Sequence, residues 1–298
     1  MNPWAECRFL TCSLLPVARA CDCECPFCFS RSSLNALPRE RSPWEPSALH
    51  DHLLWARSRG ATRAVITGGG EPLLRPELAL ASARAAARVF GEVALFTNGS
   101  RLTRDLALAH ADAGLSHLCW SRHHWDDARN RAVMGPAAPD IDVVLRAALG
   151  LRVRATCVMH RGGVETADDA RGYLSALGAR GVEEFTFKHT YVAHERSLYR
   201  DSEHDRWCRA RRVEGDLFAG EGEVVAALPW GPVVRRIEGA QVCFYREPTP
   251  EWELTHGLCR SSNLMADGRV YASLEDSRSL LSRLGPSPTR SLPVTSRA

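Results

Sequence analysis

The stretch that decides the reading is Cys21-Asp22-Cys23-Glu24-Cys25-Pro26-Phe27-Cys28. Cys21, Cys25 and Cys28 stand at C-x3-C-x2-C spacing, which puts three soft thiolates on one short loop. Iron–sulfur clusters are held by such thiolates, and three ligands on a four-iron cubane leave one iron free for chemistry. The alternative is a zinc loop with Cys23 as fourth ligand. Zinc sites usually pair two CxxC-like hooks far apart in sequence, and the chain has no second hook.

Outward from this loop the chain alternates short apolar runs with helical segments. Residues 6–15 read as a buried strand closed by Pro16, and residues 29–43, rich in Ser, Pro and Arg, as a loop over the cluster. Ser42-Pro43-Trp44-Glu45 has the form of a helix start, and Leu49, Leu53 and Leu54 continue an apolar face towards Gly60. Strands are expected at 64–67, 93–96, 115–121, 153–159 and 184–191, and helices at 76–90, 103–114, 140–149 and 166–180. Gly68-Gly69-Gly70-Glu71-Pro72, Thr97-Asn98-Gly99 and Ser121-Arg122-His123-His124 each follow a strand directly. Repeated strand–helix units predict a parallel sheet, and in α/β barrels the C-terminal strand ends carry the site.

The fold class expected is therefore α/β, a partial (β/α)6 TIM-like barrel with a short C-terminal α+β cap. Residues 1–195 form the core and 196–284 the cap, with strands near 224–228 and 239–245 and a hairpin turning at Asp267-Gly268. The Pro/Ser-rich residues 285–298 read as a disordered tail. The first strand begins so early that no leader-peptide-binding domain is expected before it.

Three motifs together, the C-x3-C-x2-C loop with Phe27 before its last cysteine, the GGGEP run and the TNG run, make the chain resemble the radical S-adenosylmethionine (radical SAM) enzymes over residues 6–190. The resemblance implies a [4Fe–4S] cluster on Cys21, Cys25 and Cys28, with S-adenosylmethionine (SAM) chelating the open iron. Its cleavage gives a 5'-deoxyadenosyl radical that removes hydrogen from a substrate. By the same resemblance Gly69, Gly70 and Glu71 lie along the methionyl part of SAM, and the Phe27 backbone passes the adenine. Thr97, Asn98 and Ser121 then meet the ribose or carboxylate, or are ordinary strand-end turns. Arg122 is expected to pair with the SAM carboxylate, and His123 and His124 to reach the substrate. The partners implied are a small-molecule substrate and an electron donor such as flavodoxin or ferredoxin.

Lys188 is the one lysine among 38 basic residues, and its strand alternates it with Phe185 and Phe187. Pointing inward it needs a partner. Of the remaining cysteines, Cys7, Cys12, Cys119 and Cys157 fit a core role. Radical epimerases return a hydrogen atom from a thiol, for which Cys259 is the first candidate and Cys243 the second. Redox-neutral epimerisation of a small polar natural-product intermediate is the favoured reaction. Dehydrogenation, decarboxylation, rearrangement, peptide modification or activation of a glycyl-radical partner are the alternatives, and a non-catalytic iron–sulfur or zinc module is the other class. A net charge of +3 gives no case for nucleic acid, no apolar run reaches membrane length, and eleven cysteines without a signal peptide point to the cytoplasm.

Overall fold

The computed structural model describes residues 2–36, 46–195 and 197–284. The expected helix start at 42–45 and the tail at 285–298 lie outside the described residues. The first half builds β1 (Arg8–Leu14), α1 (Pro46–Ser58), β2 (Arg63–Ile66), α2 (Pro76–Ala87), β3 (Val93–Thr97), α3 (Arg104–Asp112) and β4 (His117–Ser121). It continues with α4 (Asp127–Met134), α5 (Ile141–Ala147), β5 (Arg152–Met159), α6 (Ala167–Gly178) and β6 (Glu184–His189). Local chemistry sets the boundaries. Thr103 caps α3 by accepting from Leu106 N, and Thr166 and Asp169 cap α6 reciprocally.

After β6 come α7 (Glu203–Ala210), β7 (Glu223–Ala227), β8 (Val233–Ile237), β9 (Ala240–Tyr245), α8 (Pro250–His256), β10 (Leu258–Leu264), β11 (Arg269–Tyr271) and β12 (Leu280–Arg283). These strands join the core sheet. The order is β12-β11-β10-β1-β2-β3-β4-β5-β6-β9-β8-β7. β10 lies parallel to β1 and β9 parallel to β6, so the parallel run is two strands longer than expected. The expected division near residue 195 coincides with no break in this sheet. The hairpin at Asp267-Gly268 forms as β10 and β11, antiparallel.

The fold is thus an α/β structure with a large, mostly parallel sheet curved as a partial barrel that does not close: β9 and β10 are not hydrogen-bonded to each other. The helices cover the outer face, where Leu14, Leu53, Ile66, Leu95 and Leu118 belong to one continuous core. Residues facing the interior are more polar. Thr11, Ser13, Arg63, Thr156, Glu184 and Thr186 all line the internal cavity. A chamber of this kind needs polar walls, and those walls interrupt the apolar runs that a parallel sheet otherwise shows.

Candidate active site

One cavity of about 500 Å³ opens at the C-terminal ends of the parallel strands and runs into the barrel. The loop after β1 supplies Cys21, Cys25 and Cys28 to its wall, all as free thiols, with Cys21 exposed and the other two half-buried. Burial pushes the Cys25 and Cys28 thiols up, while a hydrogen bond with Cys23 pulls Cys21 down. Among the described residues no three His, Cys, Asp or Glu side chains converge on the position of a single metal ion. Three thiolates on one cavity wall are the donor set that an iron–sulfur cluster takes. Cys23, the fourth zinc ligand of that alternative, packs against Met134 and Ala138 but also hydrogen-bonds Cys21 and borders the cavity. The donor set therefore fits a [4Fe–4S] cluster with one open iron.

The motif residues are tied largely to one another. Glu71, buried, accepts from Leu73 N at 2.9 Å, Thr97 Oγ1 at 2.7 Å and Asn98 N at 2.7 Å. Burial outweighs these bonds and raises its carboxyl to about 7. The Asn98 amide donates to Asp22 at 2.9 Å and towards Cys21 Sγ at 3.7 Å. Ser100 Oγ and Arg101 Nε also donate to Asp22, at 2.8 and 3.0 Å. The strand ends after β2 and β3 are thus bolted together and grip the cluster loop through Asp22, a role that the sequence reading missed. An acidic residue beside a cluster cysteine was the available signal.

The glycines have a specific steric reason. A Cβ on Gly69 would stand 1.7 Å from Ala18 O, and one on Gly70 1.8 Å from Ala20 O. The chain entering the cluster loop passes directly over them, held by Gly69 N to Val17 O at 3.0 Å and Glu71 N to Ala20 O at 2.8 Å. Gly70 also lines the cavity, whereas Gly69, expected along the methionyl group, faces the 17–20 segment and is not a wall residue. Glu71, Thr97, Asn98 and Ser121 are wall residues.

Phe27 lies in the wall, its ring edge-on to His123 at 4.6 Å and tilted to His160 and Trp207 at 5.4 and 5.7 Å. His123 Nδ1 accepts from Val158 N at 3.0 Å, which leaves the ring proton on Nε2. Burial lowers its pKa to about 3, so it is neutral at working pH.

Three expectations are corrected. Arg122 is fully buried and donates to the carbonyls of His124 and Pro139 at 2.7 and 3.0 Å and to Asp127 at 2.5 Å. Its guanidinium is consumed in holding the β4–α4 loop and α4, so it is not available to the SAM carboxylate. His124 is buried outside the cavity, accepting from Asp126 N and stacked on Trp125 at 4.1 Å, and does not reach the substrate space. Cys259 is fully buried in the core, hydrogen-bonded to Cys7, and absent from the cavity wall. It pairs with Phe9 near the start of β1, whereas the cluster loop follows the end of that strand. Cys243, by contrast, lines the cavity, its thiol held up at about 11 by burial and so neutral.

Lys188 finds its partner just past the neighbouring strand, β9. It pairs with Glu247 at 3.0 Å and sits over the Tyr245 ring at 5.1 Å. Glu247 also takes Arg260 at 2.8 Å and Tyr245 OH at 2.7 Å. Arg260 is on β10 and Glu247 follows β9, so this ion pair spans the gap where the barrel is not hydrogen-bonded shut.

A partial barrel with three unpaired thiols at its mouth and a chamber beneath defines a cluster-dependent enzyme scaffold. The sequence profile of the radical SAM superfamily matches residues 15–175, just over half of the chain. The chain belongs to the radical SAM superfamily, whose members are enzymes that use a [4Fe–4S] cluster and SAM. No curated protein matches it. Among solved structures it is similar to SuiB of Streptococcus suis bound to SAM, with 15% identity and a TM-score of 0.57 over 90% of this chain and 60% of that one. SuiB bound to the precursor peptide SuiA gives 15% and 0.56 over the same shares. The structure of anSMEcpe with bound AdoMet gives 13% and 0.51, over 93% of this chain and 75% of that one. The chain thus spans 60% of the length of SuiB, and likeness at this identity concerns the fold.

Proposed function

We propose that this enzyme abstracts hydrogen from a small polar natural-product intermediate and epimerises it without net oxidation of the substrate. The observation that carries this reading is the presence of Cys243 in the wall of the same cavity as Cys21, Cys25 and Cys28. In this reading the three cysteines hold the cluster, and Gly70, Glu71, Thr97, Asn98 and Ser121 border the SAM space, with Phe27 and His123 as its aromatic side. When bound, cluster and cofactor supply a 5'-deoxyadenosyl radical that takes one hydrogen atom from the substrate. Cys243 then gives its thiol hydrogen to the opposite face of the substrate carbon. The thiyl left behind regains an electron and a proton, the electron from a donor of the flavodoxin or ferredoxin class. Such a thiol must be neutral, which burial ensures for Cys243. The chamber walls exclude water and fix one C–H bond in reach.

A peptide substrate is the second reading, favoured by β7. This edge strand, Glu223–Ala227, is exposed at every position, which leaves backbone groups open to an added strand. Anaerobic reactions in deuterated water with extracts of the producing cell, followed by mass spectrometry, separate the outcomes. Epimerisation gives a product one deuterium heavier at the inverted carbon. A product two hydrogens lighter, or a labelled peptide, rejects it in favour of oxidation or peptide modification.

A further inference from the structure

The charges in the cavity wall do not balance, and the imbalance is local. On one side the wall pairs Arg63 with Glu92 at 3.4 Å and Arg154 with Glu184 at 2.9 Å, and Arg152, from outside the wall, reaches Glu184 as well. On the other, Lys188 and Arg260 share Glu247 alone. Burial would raise the Glu247 carboxyl, but the two cations overcome it and hold it at about 2, so it is ionised throughout the working range. Two cations around one carboxylate leave a surplus of one positive charge. Lys188 and Arg260 are each 29% exposed, and all three line the cavity.

We propose that Lys188 and Arg260 form the subsite that holds a carboxylate of the substrate, and that the substrate is a small acid. This rests on reading the cavity as the reaction chamber. A surplus of one charge is matched by a monoanion, whereas a phosphomonoester dianion overshoots it. Glu247 already shows what these donors grip: one oxygen takes Lys188, the other Arg260 and Tyr245. Lys188 and Arg260 retain further N–H groups for a second carboxylate.

The placement agrees with the chemistry. Tyr245 and Cys243 are two residues apart on β9, therefore on one face and about 7 Å apart along it. In register, Lys188 lies beside Tyr245 and Thr186 beside Cys243. A carboxylate held at the first level sets the neighbouring carbon over the thiol. Glu253 and Glu275 act on Arg260 electrostatically, their carboxyls raised by burial to about 7 and about 8. Ionisation of either cancels the surplus and ionisation of both reverses it, so carboxylate binding weakens as pH rises through that range.

The test uses the full chain, anaerobically reconstituted and with SAM present. Binding of L-serine against serinol, D-glucuronate against glucose, and inorganic phosphate is read by ligand-observed NMR. At least one carboxylate is expected to bind and its counterpart lacking the carboxylate not. Lys188→Gln should weaken that binding about tenfold, the loss of one charged hydrogen bond. Lys188→Arg should restore it, and Glu247→Gln, which removes the competing internal carboxylate, should tighten it. Tightening is an outcome a merely structural clamp cannot give. Circular dichroism and iron content check the fold of each variant, and Glu247→Gln decides the matter alone should Lys188→Gln fail to fold. The proposal is overturned if no carboxylate binds, if serinol or glucose binds equally, if phosphate binds better, or if Glu247→Gln weakens binding. Failure of the radical reading is distinguishable, since it appears as no SAM cleavage by the native enzyme whatever the probes do.

Discussion

Replacing Glu71 by Gln probes the bolt between the β2 and β3 strand ends. Its two carboxylate oxygens accept three donors, two of them backbone N–H groups on opposite oxygens. A Gln amide can accept on one side only, so one buried N–H is orphaned at a cost of about 1–3 kcal/mol. The second contribution depends on pH. The Glu71 carboxyl rises from 4.5 in the unfolded chain to about 7 when folded, so between these values the folded state binds more protons. Stability from this group is therefore present below about pH 4.5 and lost as pH climbs to 7, by about 3 kcal/mol in all. Glu253 and Glu275 are raised in the same sense but are common to both proteins and cancel in the difference. Urea unfolding of the cluster-free proteins under reductant, at about pH 5 and about pH 8, should show Glu71→Gln clearly weaker in acid, with the gap closed or reversed at the higher pH. A gap of equal size at both values refutes the claim that burial dominates this carboxyl.

Arg122→Ala should cost about 3–5 kcal/mol, because Asp127 and two carbonyls lose a buried partner. A variant that folds normally but loses SAM affinity contradicts that assignment. Cys259→Ala should lower stability by about 1 kcal/mol and leave product stereochemistry intact. Cys243→Ala should still form 5'-deoxyadenosine while losing solvent deuterium in the product, and normal labelling there ends the thiol-donor reading. Asp22→Ala should reduce iron retention at unchanged unfolding midpoint, since its three donors hold only the cluster loop. Titration of iron against a chelator measures it.

Much of the parallel core was legible because its strands are short apolar runs between helical segments. Arg152–Met159 and Val93–Thr97 lie within a residue of their expected positions. Asp127–Met134 escaped notice because its sequence, DARNRAVM, buries only Asn130 and Met134 and shows no apolar stripe. The late strands stand close to where they were expected, but their partners were not legible. The partner of β10 is β1, about 250 residues away, and no local pattern encodes such a pairing. Arg122 had a readable signal: Ser121 ends β4 facing the chamber, so its neighbour points the other way. The fates of Cys243 and Cys259 follow from which stretch of each strand borders the cavity, information carried by the tertiary structure alone.

The most direct measurement is anaerobic reconstitution of the native chain and of Cys21→Ala, Cys25→Ala and Cys28→Ala, with iron, sulfide and 5'-deoxyadenosine determined on each. The native protein should hold about four irons and four sulfides and release 5'-deoxyadenosine only when both reductant and SAM are present. Each alanine variant should lose both properties. Stoichiometric zinc without sulfide in the native protein, or undiminished 5'-deoxyadenosine from any of the three variants, contradicts the central claim.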